Sequence, residues 1–325
     1  MPTGSFYSMR LNLMIEGQEG VTWPQWQAIA QACEQHGIDT LFRSDHYMNL
    51  DGAHPERGAL DALATVIALA AQTSTLRLGT MVSPATFRHP SVLAKLVTTA
   101  DHVSGGRVEL GLGAGWHERE HAAYGFAYPD LKTRMEVLDE QLQIVLGSWA
   151  PTSDEAAFSF TGKHYRLDRL DAQPKPVQQP HPPLLMGGAA GPLAARLAAS
   201  YADEYNTAFA SLDQVRERRV RIVHACERIG REPIPFSVMG PLVVGRDEDE
   251  LRARATRTAE FRGMDADAIL RDPPEGWIVG TLDQVAAQLR ELEQAGVSRV
   301  LCQHMPHDDL EFVEILGREL APLVA

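Results

Sequence analysis

The segment "VELGLGAGWHEREH", residues 108–121, contains one repeat of the pattern that decides the fold. An apolar strand runs to Gly111, a glycine-rich turn follows, and a polar helix begins. The same order of short apolar strand and amphipathic helix recurs about eight times along the chain. The candidate strands are Arg10–Ile15, Thr40–Ser44, Arg77–Thr80, Arg107–Gly111, Pro183–Met186, Asp203–Asn206, Phe236–Val244 and Ser298–Gln303.

Strand and helix repeated about eight times predict an α/β fold, a (β/α)₈ TIM barrel formed by residues 1–325 as one domain. A doubly wound sheet is the alternative, but it usually needs fewer strands. Residues 151–182 and 261–276 interrupt the rhythm and predict two insertions, one after the fourth strand and one near the eighth. In the first helix, Thr22 is expected to cap the amino end and Gly37 to end the helix.

Composition excludes several classes of protein. The net charge of -13 argues against a nucleic-acid surface, which needs clustered Lys and Arg. The three cysteines are far apart in sequence, so neither a disulfide framework nor a cysteine metal site is expected. The apolar run at 62–71 is too short to span a membrane, and the first residues lack the apolar core of a signal peptide. We therefore expect a cytoplasmic protein.

The quoted segment also matches parts of two known motifs. Gly111, Gly113 and Gly115 suggest a dinucleotide loop, but G-x-G-x-x-G fails because Trp116 stands at its sixth position. Residues 117–121 spell H-E-x-x-H, the zinc-protease pattern. Nothing in the sequence singles out a third ligand, so no metal site is expected. A tight turn is the plain structural interpretation of the glycines, while the barrel context favours a loop that a ligand approaches closely.

Polar residues follow several other candidate strands. Barrel active sites lie at the carboxyl ends of the strands, so we expect these residues to meet at one mouth. Gly187 and Gly188 precede a helix that begins near Gly191, an arrangement suited to holding a phosphate with backbone N–H groups. The other segments in these positions are Ser44-Asp45-His46, Thr80 to Pro84, Asn206-Thr207 and His304.

The chain resembles the luciferase-like monooxygenase superfamily, and within it the branch that uses the deazaflavin F420. The resemblance covers nearly the whole chain. It rests on "RSDHYM" (43–48), "LRLGTMVSPATFRHPSVLAK" (76–95), "RVELGLGAGWHEREHAAYGF" (107–126), "FTGKHYRL" (160–167) and "PPLLMGGAAGPLAARLAASYADEYN" (182–206).

The resemblance implies a barrel that binds a flavin or deazaflavin at its mouth. It places Asp45 and His46 beside the ring, and it implies a cis peptide at Met81-Val82 supporting the ring from behind. Trp116 occupies the position at which a sugar-phosphate dehydrogenase of this group carries an acidic proton donor, which argues against that substrate. The expected cofactor-binding residues are Asp45, Thr80, Met81, Val82, Gly113, Ala114, Gly115, Met186, Gly187 and Gly188.

The function predicted on this basis is hydride transfer between F420 and a small organic substrate. His46 is the first candidate for proton exchange because imidazole titrates near neutral pH, and Glu120 is the second. Trp116, His117, Trp277 and His304 are expected to line the substrate pocket. The alternatives are an FMN-dependent monooxygenase, a non-catalytic flavin-binding barrel and a zinc hydrolase. The expected partners are a small-molecule substrate and, as a possible assembly, a second copy of the chain; no nucleic acid or membrane is expected.

Overall fold

The computed structural model describes residues 9–50, 52, 54–151 and 157–324. Its strands, numbered in chain order, are β1 (Arg10–Ile15), β2 (Thr40–Arg43), β3 (Arg77–Thr80), β4 (Ser83–Pro84), β5 (Val108–Gly113), β6 (Phe158–Thr161), β7 (Arg166–Leu170), β8 (Leu184–Gly187), β9 (Glu204–Ala208), β10 (Phe236–Gly245), β11 (Ile278–Thr281) and β12 (Arg299–Gln303).

The helices surround the strands. They are α1 (Trp23–His36), α2 (Ala62–Ala70), α3 (Pro90–Ser104), α4 (Glu118–Tyr124), α5 (Leu131–Trp149), α6 (Pro192–Tyr201), α7 (Leu212–Glu227), α8 (Glu248–Arg262), α9 (Ala266–Arg271), α10 (Leu282–Gln294), α11 (Leu310–Glu314) and α12 (Ala321–Val324). A 3₁₀ turn covers Gly17–Glu19, and Ile315–Leu320 is π-helical. None of the helices in the described ranges has the length and apolar character needed to cross a membrane.

Eight parallel strands close into a barrel in the order β1-β2-β3-β5-β8-β9-β10-β12, and β12 pairs with β1. The pairing of β9 with β10 completes the ring, so the sheet is closed, unlike a doubly wound sheet with two edges. The predicted (β/α)₈ barrel is therefore confirmed, and each of its eight strands was predicted within two residues at either end. Two short strands, β4 and β11, attach to the barrel beside β5 and β10.

The helix signals act as expected. In α1, the Thr22 hydroxyl accepts a hydrogen bond from the Gln25 N–H, and Gly37 ends the helix with a left-handed φ of 77°. Trp26, Ile29 and Cys33 share one buried face of this helix and pack against the outside of the barrel. The first insertion contains the antiparallel hairpin of β6 and β7, and the second contains the end of α8 together with α9.

The barrel interior is filled in layers. Near the amino ends of the strands, the buried Arg299 guanidinium donates hydrogen bonds of 3.0 Å to the carboxylates of Glu109 and Glu204. Above this ion cluster lies an apolar layer that includes Met14, Phe42, Met81, Leu185, Met239 and Leu301. Within the described residues, these two layers fill the amino end of the barrel and leave the carboxyl end for a ligand.

Candidate active site

A cavity of about 620 Å³ lies at the carboxyl ends of the barrel strands. Its size is typical of a pocket for a small molecule or cofactor. It brings together nine residues that the sequence placed in the site, and these are His46, Met81, Val82, Gly113, Ala114, Gly115, Trp116, Gly187 and Gly188. The glycine-rich loop at the end of β5 therefore forms part of its wall.

The floor of the cavity is the segment that follows β3. The Met81–Val82 peptide bond is cis, as the resemblance implied. The Val82 side chain lies against Gly113 and Gly187; a Cβ atom on Gly113 would be 2.8 Å from Val82 Cγ2, and one on Gly187 would be 3.3 Å from Val82 Cγ1. Glycine at these two positions therefore lets the floor pack directly on β5 and β8.

His46 forms part of the wall and is held by Glu120. Its Nδ1 lies 2.7 Å from a carboxylate oxygen of Glu120, a residue that comes from α4 and is fully buried. The other carboxylate oxygen accepts a hydrogen bond from the Tyr47 N–H. The carboxylate thus fixes both the ring of His46 and the backbone beside it, although 74 residues separate the pair in sequence.

The two partners change each other's acidity. Burial alone would lower the pKa of His46, but the hydrogen bond and negative charge of Glu120 outweigh it, and the pKa lies above its usual range. For Glu120, burial would raise the pKa, but the hydrogen bond and charge of His46 lower it below its usual range. The pair therefore favours a protonated His46 beside an ionised Glu120, so that an ionisable group able to donate a proton lies at the cavity wall.

Asp45 does not line the cavity. Its carboxylate lies behind the wall, where it accepts hydrogen bonds from Arg88 (2.5 and 3.1 Å) and from the Ser83 hydroxyl (2.6 Å). Thr80 and Met186 also lie behind the wall; the Thr80 hydroxyl donates to the Gly111 carbonyl, and Met186 is part of the main core. The structure gives these three predicted cofactor residues a supporting position.

The H-E-x-x-H segment does not form a zinc-protease site. The imidazole of His121 lies 2.6 Å from the Thr86 hydroxyl and 2.8 Å from the carbonyl oxygen of His117, so both of its nitrogens are engaged. His117 lies 3.8 Å from Glu120 and contacts the Leu50 carbonyl oxygen, but it is not among the residues that line the cavity. Across the described ranges, no group of three or more His, Cys, Asp or Glu side chains could hold a metal ion.

Two further residues predicted to line the pocket lie elsewhere. Trp277 packs against the apolar cluster that contains Val243 and Ile269, and it lines a smaller cleft of about 150 Å³. His304 is buried, stacks on Phe312 with ring centroids 3.9 Å apart, and has its pKa lowered to about 3 by burial. Trp277 and His304 therefore do not line the cavity at the mouth of the barrel.

Several lining residues were not predicted. Glu16 follows β1 and accepts hydrogen bonds from the side-chain amides of Gln18 and Gln303, and Gln303 is the last residue of β12. Their positions at strand ends could have identified both. Phe209, Met239 and Arg262 also line the cavity, and no motif in the sequence marks them.

The residues present fit a flavin-like group. Met81 and Val82 line the cavity together with glycines of the β5 and β8 segments. Beside it, α6 begins at Pro192, and its cap residue Gly191 supplies no side-chain hydrogen bond. No side chain among the described residues caps this turn, so its N–H groups, such as those of Leu193 and Ala194, are available to a phosphate. Met81, Val82, Gly187 and Gly188 would hold the ring and its polar chain.

Comparison with known proteins agrees with this geometry. Residues 1–299 match the model of the family described as luciferase-like monooxygenase. The F420-dependent glucose-6-phosphate dehydrogenase of Nakamurella multipartita is 28% identical over 320 residues, covering 90% of each chain. The FMNH(2)-dependent dimethylsulfone monooxygenase of Pseudomonas putida is 26% identical over 333 residues, covering 91% of this chain and 86% of the relative.

A similar architecture occurs among solved structures. An F420-dependent secondary alcohol dehydrogenase in complex with an F420-acetone adduct has a TM-score of 0.80 to this chain at 19% identity, with 98% and 99% of the two chains covered. At this identity the structural similarity shows the shared fold, and the match to the family model shows family membership. The chain belongs to the luciferase-like monooxygenase family.

Proposed function

We propose that the protein is an oxidoreductase that transfers a hydride between the deazaflavin F420 and a small organic substrate. The observation that carries the proposal is the His46–Glu120 pair at the cavity wall, with its 2.7 Å contact and raised His46 pKa. Bound F420 would supply the hydride chemistry, and the protein would supply position, a dry face and a proton.

His46 is the residue that exchanges the proton. In the direction of reduction, its imidazolium donates a proton to the substrate oxygen that gains negative charge. In the direction of oxidation, the neutral ring accepts the proton of a hydroxyl group. Glu120 stays ionised throughout and stabilises the imidazolium, since its pKa is held below its usual range.

Support for F420 comes from the relatives. The dehydrogenase of Nakamurella multipartita carries an F420 dependence in its name. The resemblance implies that Trp116 occupies the position of an acidic proton donor in the sugar-phosphate dehydrogenases of this group. In this chain the carboxylate paired with His46 belongs to Glu120, four residues after Trp116. An FMN-dependent monooxygenase is the second candidate, favoured by the matched dimethylsulfone monooxygenase.

A cofactor titration tests the proposal. Purified apoprotein is titrated separately with F420 and with FMN, and binding is followed by the change in cofactor fluorescence. We expect saturable F420 binding at lower concentration than FMN. Tight FMN binding without detectable F420 binding would assign the chain to the monooxygenase alternative. Binding of neither would contradict both cofactor proposals.

A further inference from the structure

The charged side chains that line the cavity differ in whether they have a hydrogen-bond or ion-pair partner within the protein. Glu16 accepts hydrogen bonds from Gln18 and Gln303, and Glu19 pairs with Arg57 at 3.1 Å. His46 is paired with Glu120. Arg262 also lines the cavity, yet its side chain makes no hydrogen bond or ion pair within the described part of the chain. Among the described residues that line the cavity, Arg262 is therefore a cation without an internal counter-ion.

The end of α8 holds Arg262 in place. Gly263 ends the helix with a left-handed φ of 64°, and its N–H donates to the Ala259 carbonyl. The preceding residue, Phe261, lies under the Arg57 guanidinium, 4.2 Å from ring centroid to Arg57 Cζ, and its carbonyl accepts a hydrogen bond of 3.3 Å from Arg57. The backbone that carries Arg262 is therefore fixed, while its side chain remains exposed.

Apolar side chains border the same opening. Trp116 is 62% exposed and Phe209 is 42% exposed, and both line the cavity. Exposed aromatic side chains beside a pocket are typical of a surface that binds an apolar partner. The Trp116 ring stands edge-on to His46, with centroids 5.8 Å apart. A molecule resting on Trp116 would therefore lie beside the residue that exchanges the proton.

We infer that the substrate is an organic anion with an apolar body, and that Arg262 binds its carboxylate or phosphate group. This inference rests on the proposed function, because it assigns the substrate class of the same site. The planar guanidinium matches both anionic groups with two parallel hydrogen bonds. The apolar body lies on Trp116 and Phe209, and the reacting carbon lies towards His46.

Binding of a matched pair of probes tests the inference without turnover. The F420-loaded protein is titrated with 2-naphthoate, 2-naphthyl phosphate and the neutral 2-naphthamide by isothermal titration calorimetry. We expect the anions to bind more tightly than the amide, and Arg262→Gln to weaken only the anions, by roughly ten- to a hundredfold. Arg262→Lys should keep part of the affinity, since lysine retains the positive charge but cannot form the two parallel hydrogen bonds of a guanidinium.

Arg252→Gln is the control. Arg252 lies on the same helix, is exposed and pairs with Asp267, so its removal changes the net charge equally without touching the cavity. It should leave the affinity for the anions unchanged. Equal binding of naphthoate by wild type and Arg262→Gln would overturn the inference, as would an equal loss for the amide.

A cofactor comparison separates this inference from the proposed function. If Arg262→Gln weakens F420 binding but not binding of the deazaflavin fragment without phosphate and acidic tail, Arg262 binds the cofactor and the inference is wrong. If the protein takes FMN and not F420, the proposed function is wrong. The probe titration on the FMN-loaded protein then still decides the role of Arg262.

Discussion

Arg88 bonds to Asp45 and Tyr47, the two neighbours of His46 in sequence. Replacing it by Met tests how the cavity wall around His46 is held in place. The guanidinium contacts the Asp45 carboxylate at 2.5 and 3.1 Å, Asp61 at 2.6 Å and the Tyr47 hydroxyl at 2.9 Å. Arg88→Met removes all of these contacts at similar side-chain length. Among the described residues, the Ser83 hydroxyl then remains as the hydrogen-bond partner of the Asp45 carboxylate.

The size of the effect follows from burial. The side chain of Asp45 is fully buried and that of Arg88 is 10% exposed, whereas Asp61 is 37% exposed. Removing one partner of a buried ion pair costs about 3–5 kcal/mol, and we expect about 3 kcal/mol because Ser83 remains. With about 2.1 cal/mol/K of unfolding entropy per residue, this lowers the melting temperature by roughly 4–5 °C for 325 residues.

Thermal and urea unfolding of the variant test this value. The control is Arg196→Met, which breaks a pair with Asp139 of 3.0 Å in which Arg196 is 52% exposed. An exposed pair contributes about 0–1 kcal/mol, so the control should melt within about 1–2 °C of wild type. Equal melting temperatures for the two variants would show that Arg88 does not compensate a buried charge.

Three further outcomes are expected. In the mechanism we propose, His46 donates its proton from the charged form, so the rate of reduction should fall as the pH rises through its raised pKa. In Glu120→Gln the fall should begin at lower pH, and a pH–rate profile of both proteins measures this shift. Gly115→Val places a Cβ 2.7 Å from Thr86 Oγ1 at a φ of 78° and should weaken cofactor binding and lower stability by about 1–3 kcal/mol; an unchanged titration and melting curve would contradict this. EDTA should change neither the melting temperature nor cofactor binding; loss of either on metal removal would reopen the zinc-site alternative.

The fold could be predicted from the sequence because the patterns that mark strands, helices and helix ends are local. Strand and helix periodicity predicted each of the eight barrel strands, and Thr22 and Gly37 marked the ends of α1 as they occur. β4, β6, β7 and β11 were not predicted. β4 has two residues, and β6 has exposed alternate positions, so neither carries the apolar run of a barrel strand.

The site was accessible only in part. Strand-end position and family resemblance found His46 and the glycines, but side-chain direction required the structure. Gln303 lines the cavity, whereas His304, one residue later, turns into the core beside Phe312. Successive residues of an extended chain point to opposite sides, so an error of one position reverses the assignment. Arg262 reaches the cavity from an insertion, and no strand-end rule applies to it.

We propose above that His46 exchanges a proton during hydride transfer to or from F420. The most direct measurement is single-turnover absorbance of F420 bound to wild type and to His46→Ala, with a substrate identified by screening organic acids and their neutral analogues. We predict that the variant binds F420 with little change in affinity but transfers the hydride roughly 10²–10⁴ times more slowly. Equal single-turnover rates in the two proteins would show that His46 does not exchange this proton.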